Sequence, residues 1–473
     1  MRSLFEKKMK RSSIRGFFCV FFATLLMCVC AVVPVCVTPG EVLTVSAEGA
    51  EDISLYATSA VLLDADSGRV LYEKNGYASM AMASTTKIMT CIVVLENCNL
   101  DEKLTVSGYA ASMPKVKLYI KKGETYSVRD LLYSLMLESH NDSAVALAEH
   151  VGKQYLQSEL KDKSTAEFTT EESKQAVAAF ADLMNRKAVE LGCKDTWYIT
   201  PNGLDAVETF TLEDGSTMSK EHHTTAAELA RVMAYCIGES PNTEQFLQIT
   251  QTSNYSFSAN GRSFSCTNHN AFLNMMTGAL SGKTGFTNKA GYCYVGALES
   301  DGRRFVVALL ACGWPNNKSY KWSDTKELMQ YGLDNYFYRR FDEEGVAFDE
   351  KKLERSPVTN GQTDKLGETA YTDITIEEEG GMRSAGMGDS ADSVGEVWSE
   401  GLLLRADEKI VVSFSQEKAL SAPVEAGTVV GSVEYSVDGK IYKSQNIVTT
   451  DSVKEIDLQW CFLEILERFS VFE

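Results

Sequence analysis

The chain has 473 residues, of which 44% are hydrophobic, and a formal net charge of −19 at neutral pH. This length exceeds what one hydrophobic core usually holds, so it predicts two domains with extensions. A charge this negative argues against nucleic-acid binding and against loose adsorption to anionic surfaces.

Residues 1–47 have the pattern of a signal peptide or membrane leader. Basic residues come first, a nearly unbroken apolar run from Phe17 to Val37 follows, and Val45-Ser46-Ala47 has the small residues of a cleavage site. The apolar run is long enough to cross a bilayer, although Pro34 interrupts it. We favour a cleaved signal peptide over an uncleaved anchor, and both predict a protein outside the cytoplasmic membrane.

Twelve cysteines in an exported chain would ordinarily indicate disulfides. Four of them lie in the leader, and the remaining eight show no paired spacing. Cys293 and Cys312 fall on neighbouring predicted strands, but in a diagonal register that separates the two sulfurs. We therefore expect buried free thiols.

Residues 48–345 are predicted to form the first folded domain. Ala60–Tyr72 alternates in hydrophobicity around the turn Asp66-Ser67-Gly68, which is typical of two strands. Ile88–Leu95 is apolar nearly all round, so it predicts a helix in the middle of the domain.

Further elements of this domain follow in chain order. Helices are predicted at 128–137, 143–151, 173–192, 224–237 and 320–337, a charged surface loop at 153–175, and antiparallel strands at 291–299 and 304–312. Strands at both ends of the segment with helices between them predict an α+β fold, in which one sheet carries an inserted helical subdomain.

The character of the chain changes after residue 345. Residues 346–400 are predicted to be a linker with a low-complexity loop, and residues 401–450, with short alternating strands and Gly and Pro turns, an all-β sandwich. Residues 451–473 predict an amphipathic helix with a wide apolar face and an acidic stripe. Docking on a membrane surface and docking on protein both remain open for this helix.

Three short fragments carry chemistry: Ser84-Thr85-Thr86-Lys87, Ser139-His140-Asn141 and Lys283-Thr284-Gly285. Ser-x-x-Lys also occurs at Ser112, Ser158, Ser323 and Ser415, so the pattern alone is weak. Ser84 differs because it begins the central helix, which places Lys87 one turn away on the same face.

The first fragment has two interpretations. A serine hydroxyl is a poor nucleophile without an adjacent base, and a lysine serves as that base when desolvation and a nearby cation keep its amine partly neutral. Alternatively, Ser84 merely caps the helix and Lys87 is a buried stem. The other two fragments favour the catalytic interpretation, because the three together are the signature of penicillin-interacting serine enzymes.

The other fragments supply substrate contacts. Ser139 can relay a proton and Asn141 can bond a substrate amide, although both also suit a turn that caps a helix. Lys283 and Thr284 can hold a terminal carboxylate, and Gly285 allows close approach of a backbone. The backbone N–H groups of Phe286 and Ser84 can form an oxyanion hole. The ordinary alternative for this fragment is the start of a strand.

The histidines are expected to have no role in the chemistry. His140 is predicted to point outward, and His222 and His223 are predicted to lie on a surface loop. The five histidines show no spacing typical of metal ligands, and neither a Gly-x-Ser-x-Gly elbow nor a phosphate-binding loop occurs.

With these motifs, residues 56–340 resemble the serine-type D-alanyl-D-alanine carboxypeptidases of peptidase family S11, which are low-molecular-mass penicillin-binding proteins. Asp66-Ser67-Gly68, Asn202-Gly203-Leu204-Asp205 and 283–296 match as well. Pro423–Tyr442 resembles the family's C-terminal β-domain less closely. The resemblance implies a β-lactamase/transpeptidase-like sheet and a serine hydrolase without metal or cofactor.

The resemblance also implies substrates and roles. It implies removal of the last D-alanine from peptidoglycan stem pentapeptides during cell-wall biogenesis, with β-lactams as covalent inhibitors. Ser84 is then the acylated nucleophile, Lys87 the proton acceptor, Ser139 a second active-site hydroxyl and Lys283 a substrate ligand. Arg304 resembles a family arginine near the carboxylate pocket.

The chain also departs from the family. The family usually has glycine where His140 stands, so one wall of the cleft is expected to be bulkier. The segments 153–175 and 377–397 have no counterpart in it. A β-lactamase-like hydrolase and a non-catalytic protein that binds penicillin or peptidoglycan remain as alternatives.

Overall fold

The computed structural model describes residues 53–211, 215–343, 345–365, 367–377 and 400–470. The predicted leader, its cleavage site and nearly all of the predicted loop at 377–397 lie outside these ranges.

Twenty strands are present in the described residues. They are β1 Ser59–Asp64, β2 Val70–Lys74, β3 Lys103–Thr105, β4 Thr125–Ser127, β5 Val207–Thr211, β6 Thr217–Glu221, β7 Asn254–Ala259, β8 Arg262–Thr267, β9 Ala279–Thr287, β10 Gly291–Ser300, β11 Arg303–Leu310, β12 Phe337–Arg340, β13 Ser356–Thr359, β14 Ala370–Thr372, β15 Ile374–Ile376, β16 Gly401–Leu404, β17 Val411–Gln416, β18 Leu420–Ser421, β19 Val429–Val437 and β20 Lys440–Thr449.

The same ranges contain ten α-helices. They are α1 Lys87–Asn97, α2 Gly108–Ala111, α3 Val128–Tyr133, α4 Asn141–Gly152, α5 Ser158–Asp162, α6 Thr170–Glu190, α7 Ala226–Ile237, α8 Thr243–Gln251, α9 Tyr320–Asn335 and α10 Leu458–Ser470. A 3₁₀ turn, Ala83–Thr86, precedes α1, and a π-helical turn, Ser134–Glu138, extends α3.

One antiparallel sheet forms the base of the N-terminal part, in the strand order β2-β1-β11-β10-β9. β1 comes from the beginning of the segment and pairs with β11 from its end, Leu62 lying opposite Val307. The intervening residues form α1 to α8, and α1 is buried from Lys87 to Leu95. The prediction of an α+β fold with an inserted helical part is therefore confirmed.

Some elements differ from the sequence-based expectations. The segment 153–175, expected to be a surface loop, contains α5 and the start of α6, which begins at a capping box formed by Thr169 and Glu172. Helix α8 and the hairpins β5/β6 and β7/β8 were not predicted. The strands of β5/β6 are almost wholly exposed, so they lack the apolar alternation by which a half-buried strand is recognised. β7 and β8 do alternate, with Tyr255, Phe257 and Phe264 on the inner side, and this pattern was overlooked.

The C-terminal part is built from two sheets around its own apolar core. One has the order β14-β13-β18 and the other β15-β20-β19-β17, with Val433 and Ile447 fully buried between them. The predicted sandwich is present, but it also takes β13, β14 and β15 from residues 356–376, which were expected to be linker. Those strands are short, which explains why their pattern was not recognised.

Arg69, next to the predicted Asp-Ser-Gly turn, joins the two parts of the chain. Its guanidinium donates to the carbonyl of Leu403 at 2.6 Å and to Glu408 at 2.5 Å, and both charged side chains are only 7% exposed. Asp64, also buried, accepts hydrogen bonds from Ser67 and from the N–H of Leu403. This turn therefore serves the contact with the C-terminal part.

The eight cysteines of the described residues are free thiols, as expected, although Cys98 and Cys461 are only partly buried. The helix α10 confirms the predicted C-terminal helix, and it exposes a row of large apolar side chains: Leu458, Phe462, Leu463, Ile465, Leu466 and Phe469. Of the helices in residues 53–470, none that is described has the length and apolar character needed to cross a bilayer.

Candidate active site

The 3₁₀ turn Ala83–Thr86 places Ser84 at the beginning of the central helix. Ala83 has a positive φ of 47°, so the chain turns sharply just before the serine. The hydroxyl of Thr85 donates to the carbonyl of Met82 at 2.6 Å, and that of Thr86 donates to the carbonyl of Ala83 at 2.8 Å. These two bonds brace the turn, while the apolar surface of α1 anchors it in the core.

Lys87 lies beside Ser84 and is completely buried. Its Nζ is 2.8 Å from Ser84 Oγ, 3.0 Å from Asn141 Oδ1 and 2.6 Å from the carbonyl oxygen of Asn202. Burial holds the pKa of Lys87 well below its usual value, and the charge of Lys283 lowers it further, against a smaller opposing effect of Asp142. Lys87 is thus a buried amine in contact with a serine hydroxyl.

Ser139 comes from the second fragment and faces Lys283. The π turn before it ends with Ser139 in the left-handed conformation, at φ 65°. Lys283 Nζ donates to Ser139 Oγ at 2.9 Å and to the carbonyl of Thr284 at 3.0 Å. Burial lowers the pKa of Lys283 to about 7.

Asn141 begins α4 and connects the second fragment to Lys87. Its Oδ1 accepts from Lys87 Nζ, and its Nδ2 donates to the carbonyl of Pro114 at 3.2 Å. The next residue, Asp142, accepts from the backbone N–H groups of Leu118 and Ile120, which holds the loop before β4 against the site. The Asn141 side chain therefore positions Lys87, in addition to the substrate contact expected of it.

The third fragment runs along β9, the edge strand of the sheet, where it passes Ser84. An added Cβ at Gly285 would lie 2.9 Å from the backbone nitrogen of Ser84, so only glycine fits at this crossing. Thr284 and Phe286 flank it, and the Phe286 ring, 38% exposed, packs against Tyr292. The structure thus brings Ser84, Lys87, Ser139, Asn141 and the 283–286 segment together.

Arg304 does not join this group. It pairs with Glu299 on β10, whereas Lys283 pairs with Val295, four residues further along the same strand. That offset corresponds to about 13 Å along the strand. The Arg304 guanidinium contacts Asp66 and the carbonyl of Ile237 instead. The placement of Arg304 at a carboxylate pocket was wrong, because the β10–β11 register puts it at the other end of the sheet.

His140 is buried, contrary to the expectation that it points outward. It is 9% exposed, and its Nδ1 lies 2.8 Å from Ser134 Oγ, which in turn lies 2.7 Å from Ser143 Oγ. Burial lowers the pKa of His140. The imidazole therefore braces the turn that carries Ser139, because the π turn brings Ser134 back towards it.

His222 and Gly203 were also missed as parts of the site. His222 is 4% exposed rather than on the surface, and its Nε2 lies 2.8 Å from Thr86 Oγ1. Its Nδ1 accepts from the N–H of Ile199 at 3.0 Å, so the proton belongs on Nε2. Burial lowers the pKa of His222 to about 3, which keeps it neutral. For Gly203 the only signal in the sequence was its place in the matched turn Asn202-Gly203. For His222 there was none.

A family model described as D-alanyl-D-alanine carboxypeptidase, peptidase S11, matches residues 44–156 and 170–312 of the chain. The chain belongs to this family. The unmatched interval contains α5, within the segment that the sequence marks as an insertion. A second model, the C-terminal domain of penicillin-binding protein 5, matches residues 405–455.

Individual relatives of this S11 protein cover most of its length. D-alanyl-D-alanine carboxypeptidase DacF of Bacillus subtilis is 23% identical over 88% of this chain and 90% of its own. DacA of Haemophilus influenzae, also named a D-alanyl-D-alanine carboxypeptidase, is 25% identical over 90% of this chain and 95% of its own.

Among solved structures, penicillin-binding protein 5 from Haemophilus influenzae aligns with a TM-score of 0.59 and 22% identity, over 86% of this chain and all of its own. The predicted fold, a transpeptidase-like sheet with a C-terminal β-domain, is thereby confirmed.

Proposed function

We propose that this S11 protein is a serine-type D-alanyl-D-alanine carboxypeptidase that removes the terminal D-alanine from peptidoglycan stem pentapeptides through an acyl-enzyme on Ser84. The contact between Ser84 Oγ and the buried Lys87 Nζ, at 2.8 Å, carries the proposal. A nucleophile and a base within hydrogen-bond reach are the basic requirement of covalent acyl transfer.

Lys87 acts as the base in its neutral form. A neutral amine has two N–H groups and one lone pair, and Lys87 has three polar neighbours. Asn141 Oδ1 and the carbonyl of Asn202 are acceptors, so they take the two N–H groups. The lone pair is then left for the hydroxyl of Ser84. The lowered pKa of Lys87 makes this form available at neutral pH.

Acylation proceeds with a balanced transfer of one proton. Ser84 Oγ attacks the carbonyl carbon of the penultimate D-alanine while its proton passes to Lys87 Nζ. The N–H groups of Ser84 and Phe286 stabilise the oxyanion. Ser139 then relays the proton to the leaving nitrogen as the C–N bond breaks and D-alanine departs. In deacylation a water molecule takes the place of D-alanine. It attacks the ester carbonyl and gives a proton to Lys87, which returns it to Ser84 Oγ as the ester bond breaks and the trimmed peptide departs.

The third fragment recognises the C-terminal end of the substrate. β9 is an edge strand, so an extended peptide can pair with its free side and reach Ser84 across Gly285. Lys283 and Thr284 hold the terminal carboxylate. The pKa of Lys283 is about 7 without substrate, and a bound carboxylate raises it, so binding favours the charged amine.

This reaction takes place outside the cytoplasmic membrane. The predicted leader exports the chain, and peptidoglycan stem peptides are its substrates, with β-lactams as covalent inhibitors of Ser84. Once the leader is cleaved, the exposed apolar row on α10 offers a contact with the membrane surface. Deletion of 456–473 combined with membrane fractionation tests this attachment.

Mass spectrometry of the purified protein after exposure to penicillin tests the nucleophile. We expect one penicillin mass on the peptide that contains Ser84, and no label in Ser84→Ala. Ser112→Ala, which changes another Ser-x-x-Lys match, is the control and should label normally. Labelling of Ser84→Ala would show that the nucleophile lies elsewhere.

A release assay tests the reaction itself. Incubation with a pentapeptide ending in D-Ala-D-Ala should liberate one D-alanine per peptide. Labelling without release would indicate a protein that only binds penicillin, and rapid turnover of penicillin would indicate a β-lactamase instead.

A further inference from the structure

A second group of reactive side chains lies away from Ser84. Cys98, Glu102 and His150 each place one ligand atom, Sγ, a carboxylate oxygen and a ring nitrogen, within 4.8 Å of the other two. Glu102 Oε2 is 3.2 Å from His150 Nε2. Since 52 residues separate Cys98 from His150, no spacing in the sequence indicates this group.

The backbone fixes all three residues. Cys98 caps α1, and its N–H donates to the carbonyl of Val94 at 2.9 Å. Glu102 lies just before β3, where its Oε1 accepts from the N–H of Asn99 at 2.8 Å and leaves Oε2 directed at His150. His150 lies in the last turn of α4. The group therefore joins the ends of two helices and the start of a strand.

The donor set matches one class of metal. Thiolate sulfur, imidazole nitrogen and carboxylate oxygen together suit Zn²⁺, whereas Ca²⁺ and Mg²⁺ prefer oxygen alone. Bonds of 2.0 to 2.3 Å at tetrahedral angles separate zinc ligands by about 3.5 Å. The three atoms need to move only by about 1 Å to meet this geometry, and the Glu102 side chain, 41% exposed, leaves the group open to solvent.

We propose that Cys98, Glu102 and His150 form a Zn²⁺ site with water as the fourth ligand. The metal joins the C-terminal ends of α1 and α4, whose N-terminal residues are Lys87 and Asn141. Cys98 is 11 residues from Lys87 along α1, which corresponds to about 16 Å. Zinc therefore stabilises the fold at this end and takes no part in the acylation at Ser84.

The site is tested by titrating the purified protein with Zn²⁺, in the presence of a reductant that contains no thiol. We expect one equivalent of Zn²⁺ to bind with a Kd of about 1 μM or tighter and to raise Tm by several degrees, because a ligand that binds only the folded state stabilises it. Co²⁺ should give a thiolate charge-transfer band in the near ultraviolet, and Zn²⁺ should protect Cys98 from alkylation.

Two substitutions and two controls distinguish this site from others. Cys98→Ser and His150→Gln should each weaken zinc binding at least tenfold and abolish the cobalt band. As controls, His269→Gln removes a different histidine–glutamate pair, that of His269 with Glu138, and Cys461→Ser removes a different partly buried thiol. Both control variants should bind zinc as the wild type does. Penicillin labelling of Ser84 verifies that every variant is folded.

The proposal is overturned by either of two results. One is the absence of stoichiometric zinc binding by the wild type, which would leave the group as a histidine–glutamate hydrogen bond beside a thiol. The other is undiminished binding in both Cys98→Ser and His150→Gln, which would place the metal elsewhere.

Discussion

Gly203→Ala should disable the nucleophile without contacting it. Gly203 has a φ of +80°, and an added Cβ would lie 2.5 Å from the carbonyl carbon of Ala83, nearer still to its oxygen, and 2.9 Å from Thr86 Oγ1. Ordinary contacts begin at 3.4 Å, so the chain must shift by at least about 1 Å. Ala83 precedes Ser84, and the shift therefore reaches the nucleophile directly.

Both rate and stability should change. A displacement of about 1 Å at reacting groups costs roughly 100-fold in rate. The shift also moves the neighbouring carbonyl of Asn202, which holds Lys87. The left-handed conformation costs alanine about 1 kcal/mol, and the forced contact adds about 1 to 3 kcal/mol to the loss of stability.

The assay compares Gly203→Ala with a matched substitution. Gly123 has a similar φ of +84° but nothing within 4 Å of an added Cβ, so Gly123→Ala carries the backbone strain alone. We expect the second-order rate of penicillin acylation to fall about 100-fold in Gly203→Ala and to stay within twofold of wild type in Gly123→Ala. Equal rates in the two variants would refute the role assigned to this contact.

Four further predictions concern charge and burial. The value of kcat/KM for a peptide with a free C-terminal carboxylate should fall as the pH rises through about 7, because Lys283 loses its proton there. This fall should disappear in Lys283→Gln, and also in the wild type when the terminal carboxylate of the substrate is esterified. The same pH profile should show no rise in kcat/KM near the ordinary pKa of lysine. Burial lowers the pKa of Lys87 well below that value, so its amine is already neutral there. His222→Ala should lower the free energy of unfolding in urea by about 2 to 4 kcal/mol, because it leaves buried N–H groups without an acceptor, and should slow acylation about tenfold. Arg69→Met should destabilise the protein by about 3 kcal/mol and expose the C-terminal part to protease. Arg340→Met, which removes an exposed ion pair, should leave stability and protease resistance close to those of the wild type.

Much of the active site could be recognised from short motifs. Ser84 and Lys87 are one helical turn apart, so their proximity follows from local geometry. The strands that follow the Lys283-Thr284-Gly285 fragment could be predicted because β10 and β11 are apolar and buried along most of their length. The central helix was evident because its residues are apolar on every side.

The errors arose where a side chain's surroundings depend on how the backbone folds, for a partner either far away in the chain or a few residues away across a turn. Arg304 was assigned by similarity of its neighbours, but its position depends on the β10–β11 register. His140 and His222 looked exposed because their partners, Ser134 and Thr86, are identified only by how the backbone folds back.

The amino-acid sequence by itself determined the class of chemistry, the α+β pattern and the presence of a separate β-rich C-terminal part, because hydrophobic period and local motif spacing are properties of neighbouring residues. Only the tertiary structure decided which groups meet across long separations: Lys87 with the carbonyl of Asn202, Lys283 with Ser139, and Cys98 with His150. These contacts depend on strand register and helix packing, which are set by the whole core and not by any one segment.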